Sequence, residues 1–262
     1  MKAVLGKVMA VVERLADADQ GRGVNELARE LGLAPSNVHR ILRALLALGY
    51  VEQEARLRTY SLTPRLFELG MAVGGRMDLQ SLARPELEML SVSTREDVAL
   101  VLLDQKDIVC IDHIPGRHMS RSHSILGQRM PAFCTSAGRC LLSFRADGKT
   151  VLRTSERTAY TERTLTDLSS LMSQLNLVRR NGYAVAVEEW HQRVSSVSTP
   201  VVDSSGTAVA ALSVFGKSER VRSRLRNYAA LLLAASDAVS QRLRGGLPLR
   251  PVVAERVAGR EA

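Results

Sequence analysis

The chain is poor in cysteine and in aromatic residues, and each scarcity closes off a class of function. Its three cysteines, Cys110, Cys134 and Cys140, are odd in number and lack the spacing of a zinc site. They read as the reduced, buried thiols of a cytoplasmic protein. Aromatic residues make up 4% of the 262, with one Trp, which argues against exposed ring platforms for single-stranded nucleic acid. Apolar runs such as 229–235 fall well short of the ~20 residues a membrane span needs. The start of the chain has no small-residue cleavage site and does not read as a signal peptide. A glycine-rich phosphate loop, a zinc-protease helix motif and a nucleophile elbow are also missing. The expectation is a cytoplasmic protein that is not an enzyme, with no cofactor, no bound metal and no membrane partner.

What is present begins with charge. The chain has 45% apolar residues, enough for a packed core, and a formal charge of +9. That balance suits a polyanionic partner or an anionic ligand. The excess is not concentrated at the N-terminus: residues 1–79 hold 11 Lys/Arg against 9 Asp/Glu, and residues 80–262 hold 25 against 18. A basic DNA-binding face near the N-terminus would have to arise from placement, not from composition.

In the first sixty residues, Val4, Val8, Val11, Val12 and Leu15 recur at helical spacing. A short helix with Leu27, Ala28 and Leu31 inward stops at Gly32. A third helix opens with Pro35 in its first turn and carries Val38, Ile41, Leu42, Leu45 and Leu46 on one side as far as Gly49. A small residue at a helix crossing, a glycine in the turn and a plug from the outer helix form the pattern Ala28, Gly32, Val38 of a helix-turn-helix. Tyr50–Gln53 and Arg58–Leu62 then alternate as a hairpin, the wing. A recognition helix enters the major groove by its N-terminal residues. Here those are Ser36, Asn37, His39, Arg40 and Arg43. Asn37 and Arg40 suit adenine and guanine edges, while Ser36 and Arg43 suit phosphates. Arg56 and Arg58 at the wing tip are further candidates, with Arg22 and Arg29 weaker ones.

Beyond Pro64 the spacing predicts a linker helix over 65–77 and another over 79–90. Strands follow at 98–103, 108–112 and 123–126, then a helix over 131–145, a loop at 155–160 and a helix over 166–182. Strands at 183–188, 194–202 and 208–214 and one long helix over 221–243 complete an α+β domain with a sheet.

Simple alternation places Cys110 and Asp112 on one strand face and His113 on the other, which rules out a compact nucleophilic triad. His118, His123 and His191 with Asp112 are metal-ligand types, but scattered loop histidines are the plainer reading. A pocket is the stronger candidate. Ile125, Gly127, Met130, Ala132 and Phe133 lead into a helix start whose Thr135 and Ser136 offer hydroxyls and free N–H groups, a seat for a carboxylate. Ser196 and Ser198 share a face on the opposite wall.

Taken together, the segment 24–33 with Pro35-Ser36-Asn37-Val38-His39-Arg40-Ile41-Leu42, the Leu48-Gly49-Tyr50-Val51 and Tyr60–Leu66 segments, Gly127…Met130-Pro131…Thr135–Arg139, Arg180–Ala184 with Glu188-Glu189, and the closing strand pair make the chain resemble the IclR family of bacterial transcription regulators. The resemblance runs from about Leu5 to Leu243. It implies a winged helix-turn-helix over 1–63, a linker helix over 64–79, a GAF/profilin-like α/β effector-binding domain over 80–244 and a basic, disordered tail over 245–262. It also implies double-stranded operator DNA as a partner, a small organic acid or aromatic effector, action as repressor or activator, and a homodimer or homotetramer. The implied pocket lies between 125–139 and 194–199. The chain departs from the family's frequent residues at Phe133 (histidine), Arg139 (lysine), Arg193 (glycine), Ser196 (cysteine) and Ser198 (alanine). A constitutive DNA-binding protein whose second domain only oligomerises is the alternative.

Overall fold

The computed structural model describes residues 2–18, 20–54, 56–74, 79–117 and 124–245. Two compact units divide the chain, Met1–Arg76 and Met77–Ala262.

The first unit comprises α1 (Lys2–Ala16), α2 (Val24–Leu31), α3 (Pro35–Ala47), the strands β1 (Val51–Gln53) and β2 (Tyr60–Leu62), and α4 (Arg65–Gly74). Its core gathers Val11, Leu27, Ala28, Val38, Leu42, Val51 and Tyr60. α2 ends on Gly32 in the left-handed region (φ 61°), where a Cβ would be strained, and the chain turns directly into Pro35 at the head of α3. β1 and β2 pair antiparallel from Val51–Leu62 to Gln53–Tyr60, and Tyr60 also exchanges two backbone hydrogen bonds with Arg22. The Thr63 hydroxyl donates to the Gly49 carbonyl (2.6 Å), and the Arg65 guanidinium donates to Leu48 (2.8 Å) while lying over the Tyr50 ring. These contacts fix the wing to the end of α3.

The second unit is built on a six-stranded antiparallel sheet in the order β5-β4-β3-β8-β7-β6. Its elements are α5 (Leu79–Thr94), β3 (Asp97–Asp104), β4 (Asp107–Ile114), β5 (Arg129–Pro131), α6 (Ser136–Phe144), α7 (Gly148–Thr154), α8 (Leu168–Asn181), β6 (Ala184–Val187), β7 (Val194–Val202), β8 (Ala208–Lys217), α9 (Ser218–Ser223) and α10 (Leu225–Arg244). β3 lies inside the sheet with both faces covered, which is why its sequence reads as a continuous apolar run. Val98 and Leu100 pack with Leu87, Leu90 and Leu232 of α5 and α10. Ala99 and Val101 pack with Cys140, Leu141, Leu171 and Leu175 of α6 and α8.

Several expectations change. Residues 124–126 are not a strand: Ile125–Gln128 is a turn closed by a Gln128 N–H bond to the Ile125 carbonyl, and the strand is β5. His123 lies outside the described residues, as do 75–77 of the expected linker helix and the tail from 246. The helix expected over 131–145 begins as a separate 3-10 turn, Ala132–Cys134, before α6. Gly138 explains that tight corner, since a Cβ there would sit 2.2 Å from the Ala132 carbonyl oxygen. α7 is an additional helix, and α5 continues four residues beyond Leu90, past an internal Pro85. The final helix is broken into α9 and α10 at Arg224, whose φ of −118° and ψ of 14° interrupt the helical path.

The face assignments on β4 also reverse. Leu100 pairs with Asp112, but Val101 pairs with Cys110, so the strand holds one extra residue, a β-bulge at Ile111. Cys110 stays on the α6 side. Asp112 moves to the α5 side, where Arg84 donates to it at 2.9 Å, and His113 joins Ala99 on the α6 side.

Candidate functional site

α3 presents Ser36, His39, Arg40 and Arg43 to solvent, with Asn37 half-buried, while Val38, Ile41, Leu42 and Leu45 face the core. No side chain caps its N-terminus: Ala34 occupies the N-cap and Pro35 the first turn. Pro35 has no N–H to offer, and those of Asn37 and Val38 bond to the Ala34 carbonyl, so what faces outward at this end is chiefly the polar side chains. Arg40 is held toward Asn37, Nη2 to Oδ1 3.4 Å. Arg56 and Arg58 are exposed at the wing tip, where Arg58 takes a positive φ of 54° and its N–H bonds to Glu54. Arg29 is exposed. Arg22 is engaged by Glu26 and Glu30.

A cavity of about 490 Å³ opens in the second unit between α6, the sheet and the β6–β7 connection. Ile125, Met130, Thr135, Ser136 and Ser196 are on its wall. Gly127, Ala132, Phe133 and Ser198 are outside that lining. Gly127 forms the turn before β5, with its N–H on the Cys110 carbonyl. Ala132 and Phe133 are buried in the core, and Ser198 is wholly buried behind Ser136. Arg193 is exposed in the β6–β7 turn at a φ of 63° and does not line the cavity.

α6 starts on the opposite plan to α3. Thr135 is its N-cap, accepting from the Gly138 N–H at 3.2 Å, and residues 136–143 are all buried. The N–H groups of Ser136 and Ala137, in the first turn, are the helix's positive end at the cavity wall. Apolar wall is supplied by Val101, Ile108, Met130, Ala186 and Phe215, with Trp190 at one side. Trp190 packs edge-on against Tyr160, ring centroids 4.3 Å apart.

Local spacing does not reveal the charged pairs around the cavity, although Arg139 and Glu189 fall in segments that carry the family resemblance. Glu189, on its wall, is held bidentate by Arg139, itself 1% exposed, and Arg139 also donates to the Phe133 carbonyl at 3.0 Å. Asp97, also on the wall, accepts from the Gly116 N–H (3.3 Å) and lies 3.2 Å from His113 Nε2. Arg220 reaches the cavity while holding Glu96 through two bonds of 2.6 and 2.7 Å. Glu189 is thus charge-paired, while Asp97 is held by hydrogen bonds. An acidic residue just before an apolar strand, as at Glu96-Asp97, was the one available signal.

The thiols are not activated. Burial pushes Cys134, on the cavity wall, up to about 12, and does the same to Cys110. Cys140 is raised further by the same cause. A nucleophilic cysteine needs the reverse shift. Among the described residues no group of three or more His, Cys, Asp or Glu converges as a metal site. Of the four residues weighed for metal, His118 and His123 lie outside the described residues, His191 lines the cavity, and Asp112 is turned to the other sheet face toward Arg84. No described helix is long and apolar enough to cross a membrane.

Comparison with known proteins agrees with this architecture. The family model for the IclR helix-turn-helix domain matches residues 4–55, and that for the bacterial transcriptional regulator IclR C-terminal domain matches residues 71–241. The chain is 33% identical over 240 residues to the HTH-type transcriptional regulator KdgR of Escherichia coli (strain K12), covering 90% of this chain and 91% of the relative. The crystal structure of the Thermotoga maritima IclR shares 25% identity at a TM-score of 0.76, covering 93% of this chain and 99% of the other. An IclR homolog from Microbacterium hydrocarbonoxydans, solved in complex with 4-hydroxybenzoate, has the same fold at a TM-score of 0.81 and 21% identity, covering 93% and 100%. On family models that together span both units, this chain belongs to the IclR family of bacterial transcriptional regulators.

Proposed function

We propose that this regulator binds operator DNA through the exposed start of α3 and the wing, and that a small organic carboxylate held in the cavity of the second unit modulates that binding. Ser36, Asn37, His39, Arg40 and Arg43 would meet the duplex, with Arg56 and Arg58 at the backbone or minor groove. The observation that carries the ligand half is the meeting of three features on one wall: the first turn of α6, the hydroxyls of Ser136 and Ser196, and an apolar surface large enough for a ring. Helix N-termini favour anions, and binding cavities of a few hundred Å³ combine apolar walls with a few placed polar groups. Because Arg139 pairs with Glu189, that carboxylate is neutralised, and an anion at the start of α6 does not meet it as a bare charge. The M. hydrocarbonoxydans protein of the same fold was solved with an aromatic hydroxy-acid, so a ligand of this class is the natural first probe.

The test is a gel-shift titration on DNA upstream of the regulator's own gene, with and without a panel of aliphatic and aromatic carboxylates at fixed salt. A specific shift whose midpoint moves with one acid supports the proposal. Specific binding indifferent to every acid would instead favour constitutive DNA binding with a purely structural second unit.

A further inference from the structure

Four serines, three on the cavity wall and one buried behind them, touch in a single line. Ser136 Oγ, at the head of α6, lies 2.7 Å from Ser196 and 2.6 Å from Ser198 on β7, and Ser198 lies 2.9 Å from Ser213 on β8. Ser198 is directly opposite Ser213 in the sheet, whereas Ser196 is opposite Phe215. Ser196 and Ser213 are therefore diagonal neighbours, about 7–8 Å apart along the sheet. Both ends of the line open on the cavity, while Ser198 is fully buried between them. The line depends on hydroxyls at 196 and 198, where the family resemblance leads one to expect cysteine and alanine.

Counting hydrogens gives this line a direction. Each serine has one hydrogen to donate and can accept two. The geometry favours Ser136 donating to Ser196, and Ser198 donating to Ser213. With both in place, the contact between Ser136 and Ser198, which either oxygen could donate, has no hydrogen left. Reversing one outer link satisfies all three contacts. If the last link reverses, hydrogens run from Ser213 through Ser198 and Ser136 to Ser196, and the spare donor is on Ser196. If the first link reverses, they run the other way and the spare donor is on Ser213.

We propose that these four hydroxyls form one reversible relay, offering a donor at one end of the cavity and a bare acceptor at the other, and that the relay selects a carboxylate ligand bearing a hydroxyl about one ring length away. The proposal rests on the carboxylate reading of the cavity. The carboxylate, beside the first turn of α6, accepts from Ser196, which sets the direction of the line. Ser213 is then left accepting, and the ligand hydroxyl donates to it. A hydrogen-bonded circuit thus closes through the protein, each link polarising the next. An acid without the hydroxyl leaves the Ser213 end open.

Calorimetric titration of the intact protein with 4-hydroxybenzoate and with benzoate tests this. The wild type is expected to prefer the hydroxy-acid by about tenfold, the worth of one hydrogen bond. Ser198→Ala, which removes no cavity wall, should reduce that preference by cutting the line, because Ser213 then loses the neighbour that fixes it as an acceptor. Should that variant fold poorly, a double-mutant cycle between Ser196→Ala and Ser213→Ala reads the same property at two wall positions. The relay requires coupling between these non-touching residues for the hydroxy-acid, whereas separate contacts give additivity. Equal affinity of the wild type for both acids overturns the relay and leaves the carboxylate reading standing. So does a preference undiminished in Ser198→Ala, or an additive cycle. Failure of the wild type to bind either acid overturns the relay and the aromatic-carboxylate reading together.

Discussion

α3 and α6 begin in contrasting ways. α3 has no side-chain cap, and most of its first-turn residues are exposed. α6 is capped by Thr135 and enclosed for nearly its whole length, with its first turn at a cavity wall. A helix end left bare on the surface can take a large partner such as a phosphate backbone. A capped end inside a cavity fixes its remaining donors in place for a small one. Both helices rest on an apolar core, and the two ends differ in what is added there: nothing caps α3, whereas the start of α6 is also held by the Thr135 cap and the serine contacts to β7.

Four experiments, with five substitutions between them, would break or sharpen that contrast. The largest effect is expected at the α6 side, where Glu189→Ala leaves the buried Arg139 uncompensated. It should cost about 3–5 kcal/mol, read as a lower urea midpoint for the second unit. A change below 1 kcal/mol would mean that water reaches Arg139. Second, Arg40→Ala on the exposed helix should leave stability within about 0.5 kcal/mol and weaken operator affinity by roughly 1–3 kcal/mol, with random DNA less affected. An equal loss on both DNAs would make Arg40 a phosphate contact.

Third, the caps can be exchanged. Thr135→Ala removes the bond to Gly138 and should cost about 1 kcal/mol. Ala34→Asp adds a cap to α3 and should raise stability by a similar amount while weakening DNA binding, since it places a negative charge at the end that would meet phosphate. Thermal melts and gel shifts on the pair would show whether the bare end serves binding; undiminished DNA affinity in Ala34→Asp would say that it does not. The smallest effect concerns the thiols. In the folded chain Cys110 and Cys134 hold their protons up to about 12, whereas unfolded thiols lose them near the ordinary value of 9.0. Above that value the unfolded state binds fewer protons, so stability is complete at neutral pH and falls as pH rises. At pH 9 the loss is roughly 0.4 kcal/mol per thiol, growing toward pH 12. Replacing Cys134 by alanine should flatten the alkaline slope of the melting temperature, and an unchanged slope would count against a buried, protonated thiol.

The two regions also differed in how far their sequences could be read. The helix-turn-helix is specified by neighbours: Ala28, Gly32, Pro35 and Val38 lie within eleven residues, and the short-range pattern carries the geometry. The head of α6 was legible for the same reason, through Thr135 and Ser136. The rest of the cavity was not. Asp97 meets His113 only because a bulge at Ile111 turns one residue of β4 over, and a period of two along the strand predicts the opposite face. Arg139 and Glu189 are fifty positions apart, and Glu96 and Arg220 much farther, so no spacing rule connects them. α7 was missed because seven residues beginning with glycine carry little periodicity.

Trp190 has a practical consequence. It is the single tryptophan of the chain and it stands on the cavity wall against Tyr160. Indole emission from the native protein therefore originates at one place, beside the ligand space and within the second unit. A colour shift or quench on adding a compound would report on that wall without any label, and DNA added alone would leave the spectrum unchanged unless its binding is felt at the cavity. The protein thus carries its own optical probe for communication between its two units.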